Sequence, residues 1–321
     1  MADPASRCAA APSTTANPPS ATPPSAAPAS PSSASSPAQG PLWLVVNAAS
    51  GSNSEESCAA LVARLAAAGH EPARIVRFPD DALPGVAELD AAGVCTLAIF
   101  TGDGTINSQV RKLIDWTGTI LILPGGTQNL LAKALHGVDC SVESIVEALA
   151  AQRMSPRALR AVQTSQGPAL VEVLAGPGAT WADVREGVRD LDLPTIASAL
   201  GEAVRNTAAG ALVRVVDPAV GKPAGYRALR VDAVAGPLTL DGYDVEGVGD
   251  VAAQGLAMLV KRDFRAGPHD ELGTCERVTV ESDAPIALML DGERFDGGLS
   301  ETFTAITLPV QFLGSSPRAG G

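Results

Sequence analysis

One unit near the start of the ordered sequence constrains the fold more than any other feature. The apolar run Leu42-Trp43-Leu44-Val45-Val46 ends in a polar, glycine-containing turn and is followed by an amphipathic stretch. A short run with no polar alternation reads as a strand buried on both faces, which is the condition of a parallel sheet covered by helices. The stretch after it reads as a helix from about Ser54 to Ala68. Ser52 and Glu55 stand at capping-box spacing, Leu61, Val62 and Leu65 share a face, and Gly69 is the stop.

The unit then repeats. Ala73 to Phe78, Val94 to Phe100 and Thr119 to Leu123 read as strands, and about Thr105 to Ile114, Gln128 to Leu135 and Ser141 to Ala151 as helices. This alternation predicts an α/β domain, a parallel sheet with helices on both faces. Ser155-Pro156 breaks the pattern. Beyond it the chain favours short strands between Gly/Pro turns: Ala158 to Val162, Ala169 to Leu174, Ala211 to Val216, Arg227 to Val234, Ala257 to Val260, Arg277 to Glu281 and Ala287 to Leu290. One amphipathic helix, about Thr195 to Thr207, interrupts this β-rich, sandwich-like domain. A last strand near Thr304 to Val310 is expected to return to the first domain.

Residues 1–40 are mainly Ala, Pro and Ser, too poor in apolar surface to offset chain entropy. The expected layout is a disordered tail over 1–40, an α/β domain over 41–156 joined by about 301–314, and a β-rich domain over 157–300.

A net charge of −12 argues against a nucleic-acid partner and against polybasic membrane docking. The five cysteines are scattered without metal-ligand spacing and read as thiols of a reducing cytosol. His70, His136 and His269 lie in no partner pattern and read as structural or solvated. No apolar stretch reaches the roughly 18 to 20 residues of a membrane-spanning helix. Prolines at Pro4, Pro12, Pro18 and Pro19 interrupt any secretory leader, so a cytoplasmic protein, peripheral at most to a membrane, is expected.

The chemistry gathers in three loops, each after a predicted strand and before a helix. Thr101-Gly102-Asp103-Gly104-Thr105 can turn its backbone amides on an anion at a helix N-terminus. A carboxylate there repels phosphate unless a metal or proton intervenes, which points Asp103 toward a reacting hydroxyl or magnesium. Leu123-Pro124-Gly125-Gly126-Thr127-Gln128-Asn129 and Asn47-Ala48-Ala49-Ser50-Gly51-Ser52 are the other two. All three fall at the carboxyl ends of parallel strands, where open α/β sheets bind ligands.

These loops resemble the Asn-Pro-x-Ser-Gly, Gly-Gly-Asp-Gly-Thr and Pro-x-Gly-Thr-x-Asn motifs of the diacylglycerol kinase catalytic domain, shared with sphingosine and ceramide kinases and more distantly with NAD kinases. Asp291-Gly292-Glu293 is similar to that family's late Asp-Gly-Glu. The resemblance implies an ATP-dependent lipid kinase using Mg2+, meeting a lipid substrate at the bilayer surface. It implies nucleotide contacts from Asn47, Ser50, Gly51, Thr101, Gly102, Gly104, Thr105, Gly126, Thr127 and Asn129. Asp103, Glu293 and Asp291 are implied as catalytic, Glu293 as general base or magnesium partner with Asp291 in support. Asp183 is implied as a contact to the substrate head group. Metal ligands and oligomeric state stay open.

The chain departs from the pattern at Thr101, where the family has glycine, at Ala48, where it has proline, and at Leu130, where many diacylglycerol kinases have aspartate. If the first loop position needs positive φ, the β-branched Thr101 strains it; if extended geometry suffices, it adds a hydroxyl. Two alternatives follow: a kinase for a soluble acceptor such as NAD, and an inert nucleotide sensor. Lys261, Arg262 and Arg265 form a local basic cluster that reads as a solvated loop. Asp103→Asn is expected to lower turnover by about 10² to 10⁴, checked by steady-state kinetics.

Overall fold

The computed structural model describes residues 40–47, 53–180, 210–233, 236–244 and 269–315. The Ala/Pro/Ser tail, Ser50, Gly51, Asp183, the Thr195 to Thr207 helix, the Ala257 to Val260 strand and the Lys261, Arg262 and Arg265 cluster lie outside them.

The first strands and helices alternate as the apolar runs require: β1 Leu42–Val46, α1 Glu55–Ala67, β2 Arg74–Arg77, α2 Val86–Ala91, β3 Thr96–Thr101, α3 Asp103–Lys112, β4 Thr119–Pro124, α4 Leu130–His136 and α5 Val142–Ala150. Strand order β2-β1-β3-β4, all parallel, makes β1 the point where the chain switches direction across the sheet. Side chains alternate between two apolar layers. Leu42, Leu44 and Val46 pack with Leu61 and Leu65 of α1 and Ile145 and Leu149 of α5. Trp43 and Val45 face the opposite layer with Leu89 of α2, Ile106 and Val110 of α3 and Leu131 of α4. The helices therefore cover both faces of the sheet, as expected.

Local details differ from the sequence reading for identifiable reasons. The N-cap of α1 is Ser54, whose hydroxyl accepts from Ser57 N at 3.1 Å while Ser57 Oγ accepts from Ser54 N at 2.8 Å. A serine thus takes the place of the acidic partner in the box, and Ser141 with Ser144 repeats the device at α5. Helix α2 buries only Leu89, too little for a periodic signal.

Pro156 does not end the pattern either; it lies inside β5 Met154–Thr164. It pairs with Leu313, and its other side is bare because β6 Gly167–Ala169 meets β5 only from Val162 to Thr164. A strand tolerates proline on such an unpaired edge.

The remaining strands are β7 Glu172–Ala175, β8 Val213–Asp217, β9 Ala228–Asp232, β10 Leu238–Tyr243, β11 Asp270–Cys275, β12 Arg277–Ser282, β13 Ala287–Leu290, β14 Glu293–Asp296 and β15 Ser300–Ser315. Sequence reasoning passes over β10, β11 and β14, whose polar and glycine-rich texture hides them. β11-β10-β9-β7-β13-β14 form an antiparallel sheet of six strands. Its inner face, including Val173, Leu229, Val231, Leu240 and Leu288, packs on Val162, Val215, Val278, Val280 and Phe303 of the first sheet. The expected sandwich is present.

The long strand β15 joins the two regions. Its first residues pair antiparallel with β12, β5 runs antiparallel to it from Thr304 to Ser315, and Gln311 and Phe312 pair parallel with β4, so the last strand does return to the α/β layer. His136, at the end of α4, secures that junction. Its ring Nε2 donates to Ile122 O of β4 at 3.1 Å, and Nδ1 accepts from the Ser315 hydroxyl of β15 at 2.9 Å. Burial pushes its pKa down to about 4, so the ring is neutral in the fold. A depressed value means the stability it contributes is present above the unfolded pKa near 6.5 and is lost as pH falls toward 4. Protonation is expected to cost up to about 3 kcal/mol, and His136→Gln should flatten that acid slope in denaturation curves recorded from pH 7 to 4.

Candidate active site

The loops after β3 and β4 meet backbone to backbone. A Cβ on Gly125 would stand 2.7 Å from Thr101 N and 2.9 Å from Phe100 C, and one on Gly126 would stand 2.9 Å from Gly102 Cα. Space, not positive φ, demands these two glycines, since neither has φ in the left-handed region.

Asn53, which the sequence reading did not single out, ties in the loop after β1. Its Nδ2 donates to Asn47 O at 3.3 Å and Phe100 O at 3.1 Å, bridging the ends of β1 and β3 at the switch point. Nothing in its surroundings advertises the role, because its partners are main-chain carbonyls, one of them distant in sequence.

Thr101 closes β3 with φ outside the positive region, so the strain considered above is absent. It is fully buried and its hydroxyl donates to Gly102 O at 3.2 Å, which removes that hydroxyl from ligand contact. Gly102 is the extended N-cap of α3, and the first intrahelical bond runs from Ile106 N to Gly102 O. Asp103, Gly104 and Thr105 therefore occupy the first turn, whose amides precede the intrahelical ladder.

Asp103 is held by the neighbouring loop. Its Oδ2 accepts from Asn129 N at 3.1 Å and its Oδ1 from Leu130 N at 2.9 Å, so the carboxylate fastens the start of α4. Asn129 sits at φ 55, ψ 45, a conformation asparagine tolerates, and its side chain accepts from Gly126 N at 2.7 Å and donates to Gly126 O at 2.9 Å. Its amide thus shapes the loop while Thr127 stands exposed beside it.

Glu293 arrives from the other sheet. Asp291 and Gly292, at φ 50 and 93, form the two-residue turn between β13 and β14, the pattern of an Asp-Gly hairpin. The Asp291 carboxylate is buried and accepts from Leu170 N at 2.7 Å, Val171 N at 2.8 Å and Glu172 N at 3.0 Å. Burial pushes its pKa up to about 6 against the pull of these three donors. Asp291 is thus an anchor beneath the turn, and the turn sets Glu293 against α3: a Cβ on Gly104 would be 3.3 Å from Glu293 Oε1.

At the ends of β1, β3 and β4 the structure thus brings Asn47 to Phe100 through Asn53, Thr101 to Asp103 against Gly125, Gly126 and Asn129, and Glu293 against Gly104. Among the described residues no group of three His, Cys, Asp or Glu side chains could enclose a metal ion. A magnesium ion held by one or two carboxylates and by substrate phosphates needs no such cage.

Residues 41–162 match the family model of the diacylglycerol kinase catalytic domain. A diacylglycerol kinase from Bacillus anthracis str. Sterne shares the fold, with a TM-score of 0.60 at 17% identity over 88% of this chain and 99% of its own. An NAD kinase from Archaeoglobus fulgidus in complex with ATP superposes more loosely, with a TM-score of 0.42 at 15% identity over 86% of this chain and 94% of its own. No curated protein matches the chain in sequence. Both loops described above, after β3 and after β4, fall within the matched residues. Among the described residues no helix is long and apolar enough to cross a membrane.

Two substitutions test this geometry. Gly125→Ala should lower stability by about 1–3 kcal/mol, because the contacted backbone of β3 cannot yield; urea denaturation against the wild type measures it. Asp103→Asn presents an amide to one of two N–H donors, and should therefore cost about 1–3 kcal/mol of stability as well as turnover. The fold is then not fully spared by this substitution.

Proposed function

We propose that this chain is an ATP-dependent lipid kinase that transfers the γ-phosphoryl group of ATP to a hydroxyl of a diacylglycerol-like or sphingoid-like acceptor at the bilayer surface. The observation that carries the reading is the arrival of Glu293, from an otherwise separate sheet, against Gly104 in the first turn of α3. A phosphate-type helix start and a carboxylate placed on the far side of it are what an in-line transfer between two bound substrates needs.

In this reading residues 41–156 with the end of β15 bind nucleotide, and residues 157–300 supply the acceptor side. The amides of Asp103, Gly104 and Thr105 face the phosphates, with Gly102 and Gly126 allowing close approach. Glu293 takes the proton of the attacking hydroxyl. Asp103 keeps α4 and the Gly126 loop in register with α3, and Asp291 fixes the turn that aims Glu293. The loops 101–105 and 125–129 contain no Lys or Arg. Bound magnesium would supply the missing charge neutralisation, and Asp103 and Glu293 are the carboxylates available to hold it.

The test is incubation with labelled ATP and a total lipid extract, followed by identification of the labelled product. A phosphorylated lipid is expected, and Glu293→Gln should lower its formation by about 10² to 10⁴. Labelled NADP in place of lipid would favour a soluble acceptor, and nucleotide binding without any transfer would favour an inert sensor.

A further inference from the structure

Helix α3 carries a buried polar side chain, Asn107, that the site as described leaves without a task. Gly104, Asn107 and Arg111 follow one another at helical spacing and share a face. That face meets β14 at both ends. Gly104 receives Glu293, and the Arg111 guanidinium lies 5.8 Å over the ring of Phe295 while Nη2 donates to Pro168 O at 3.3 Å. Glu293 and Phe295 are two residues apart on β14 and point the same way.

Between these contacts sits Asn107, only 2% exposed, whose Nδ2 has no hydrogen-bond partner; Arg111 Nε is buried and likewise without one. A buried donor left unmet destabilises a fold and calls for an explanation. Side chains on a helix lean toward its N-terminus, which carries the Asn107 amide toward the Gly104 turn and the carboxylate of Glu293.

We infer that Asn107 is a positioning residue for Glu293, its Nδ2 donating to that carboxylate when the acceptor is bound. Arg111 holds β14 in place through Phe295, and Asn107 fixes the rotamer of Glu293 at the reacting hydroxyl. This rests on the kinase reading above. It assigns to Asn107 an interaction that matters in the transfer step and not in nucleotide binding.

The experiment compares wild type, Asn107→Leu, Glu293→Gln and the double variant for kcat, for KM toward ATP and for thermal midpoint. Asn107→Leu should lower kcat at least about tenfold with KM for ATP within about twofold. Its midpoint should be no lower than wild type, because an orphaned donor has been removed. If Asn107 acts through Glu293, the double variant is no slower than Glu293→Gln alone. Multiplying losses, an unchanged kcat, or a lowered midpoint with raised KM would each overturn the inference. Asn107→Ser serves the same comparison if the leucine variant does not fold. A wild-type protein that binds ATP but transfers nothing to any acceptor would overturn the kinase reading itself, and this inference with it.

Discussion

The site depends on a contact that side chains would forbid. The loops after β3 and β4 approach so closely that a single methyl group on Gly125 would press into the backbone of Thr101 and Phe100. Because these strands are buried on both faces and packed to interior density, they cannot retreat to make room. The contact fixes the spacing of the first turn of α3 against the Gly126 loop. Asp103 then spans it with two hydrogen bonds to α4, and Asn53 spans the neighbouring gap to β1.

Two of the three prominent carboxylates do structural work first. Asp103 and Asp291 both spend their oxygens on main-chain donors, one at the start of α4 and one beneath the β13–β14 turn. Each secures a loop at the candidate site. Glu293 is the carboxylate that the second of these arrangements sets against Gly104 of α3.

The α/β layer was legible because its strands are unbroken apolar runs and its loops carry glycine and hydroxyl residues at their ends. Leu42–Val46 was bounded correctly for that reason. The antiparallel sheet was less so: β11 is exposed along most of its length, and β14 is a short polar edge, so neither shows a hydrophobic signature. Thr101 illustrates a different limit. Sequence alone left its backbone conformation open, and only the pairing of Thr101 with Pro124 settled that the position is extended. Asn53 and Asn107 were illegible because their importance lies in distant partners and in a missing partner, and neither leaves a local pattern.

The strand Ser300–Ser315 lies inside the nine-stranded sheet, paired with β12 over its first residues, with β4 near its end and with β5 from Thr304 to Ser315. It is the strand through which the parallel β2-β1-β3-β4 ladder continues into β12 and β8. Because β15 follows every other strand of that sheet in chain order, β4 keeps an open edge in a nascent polypeptide until this strand has been made.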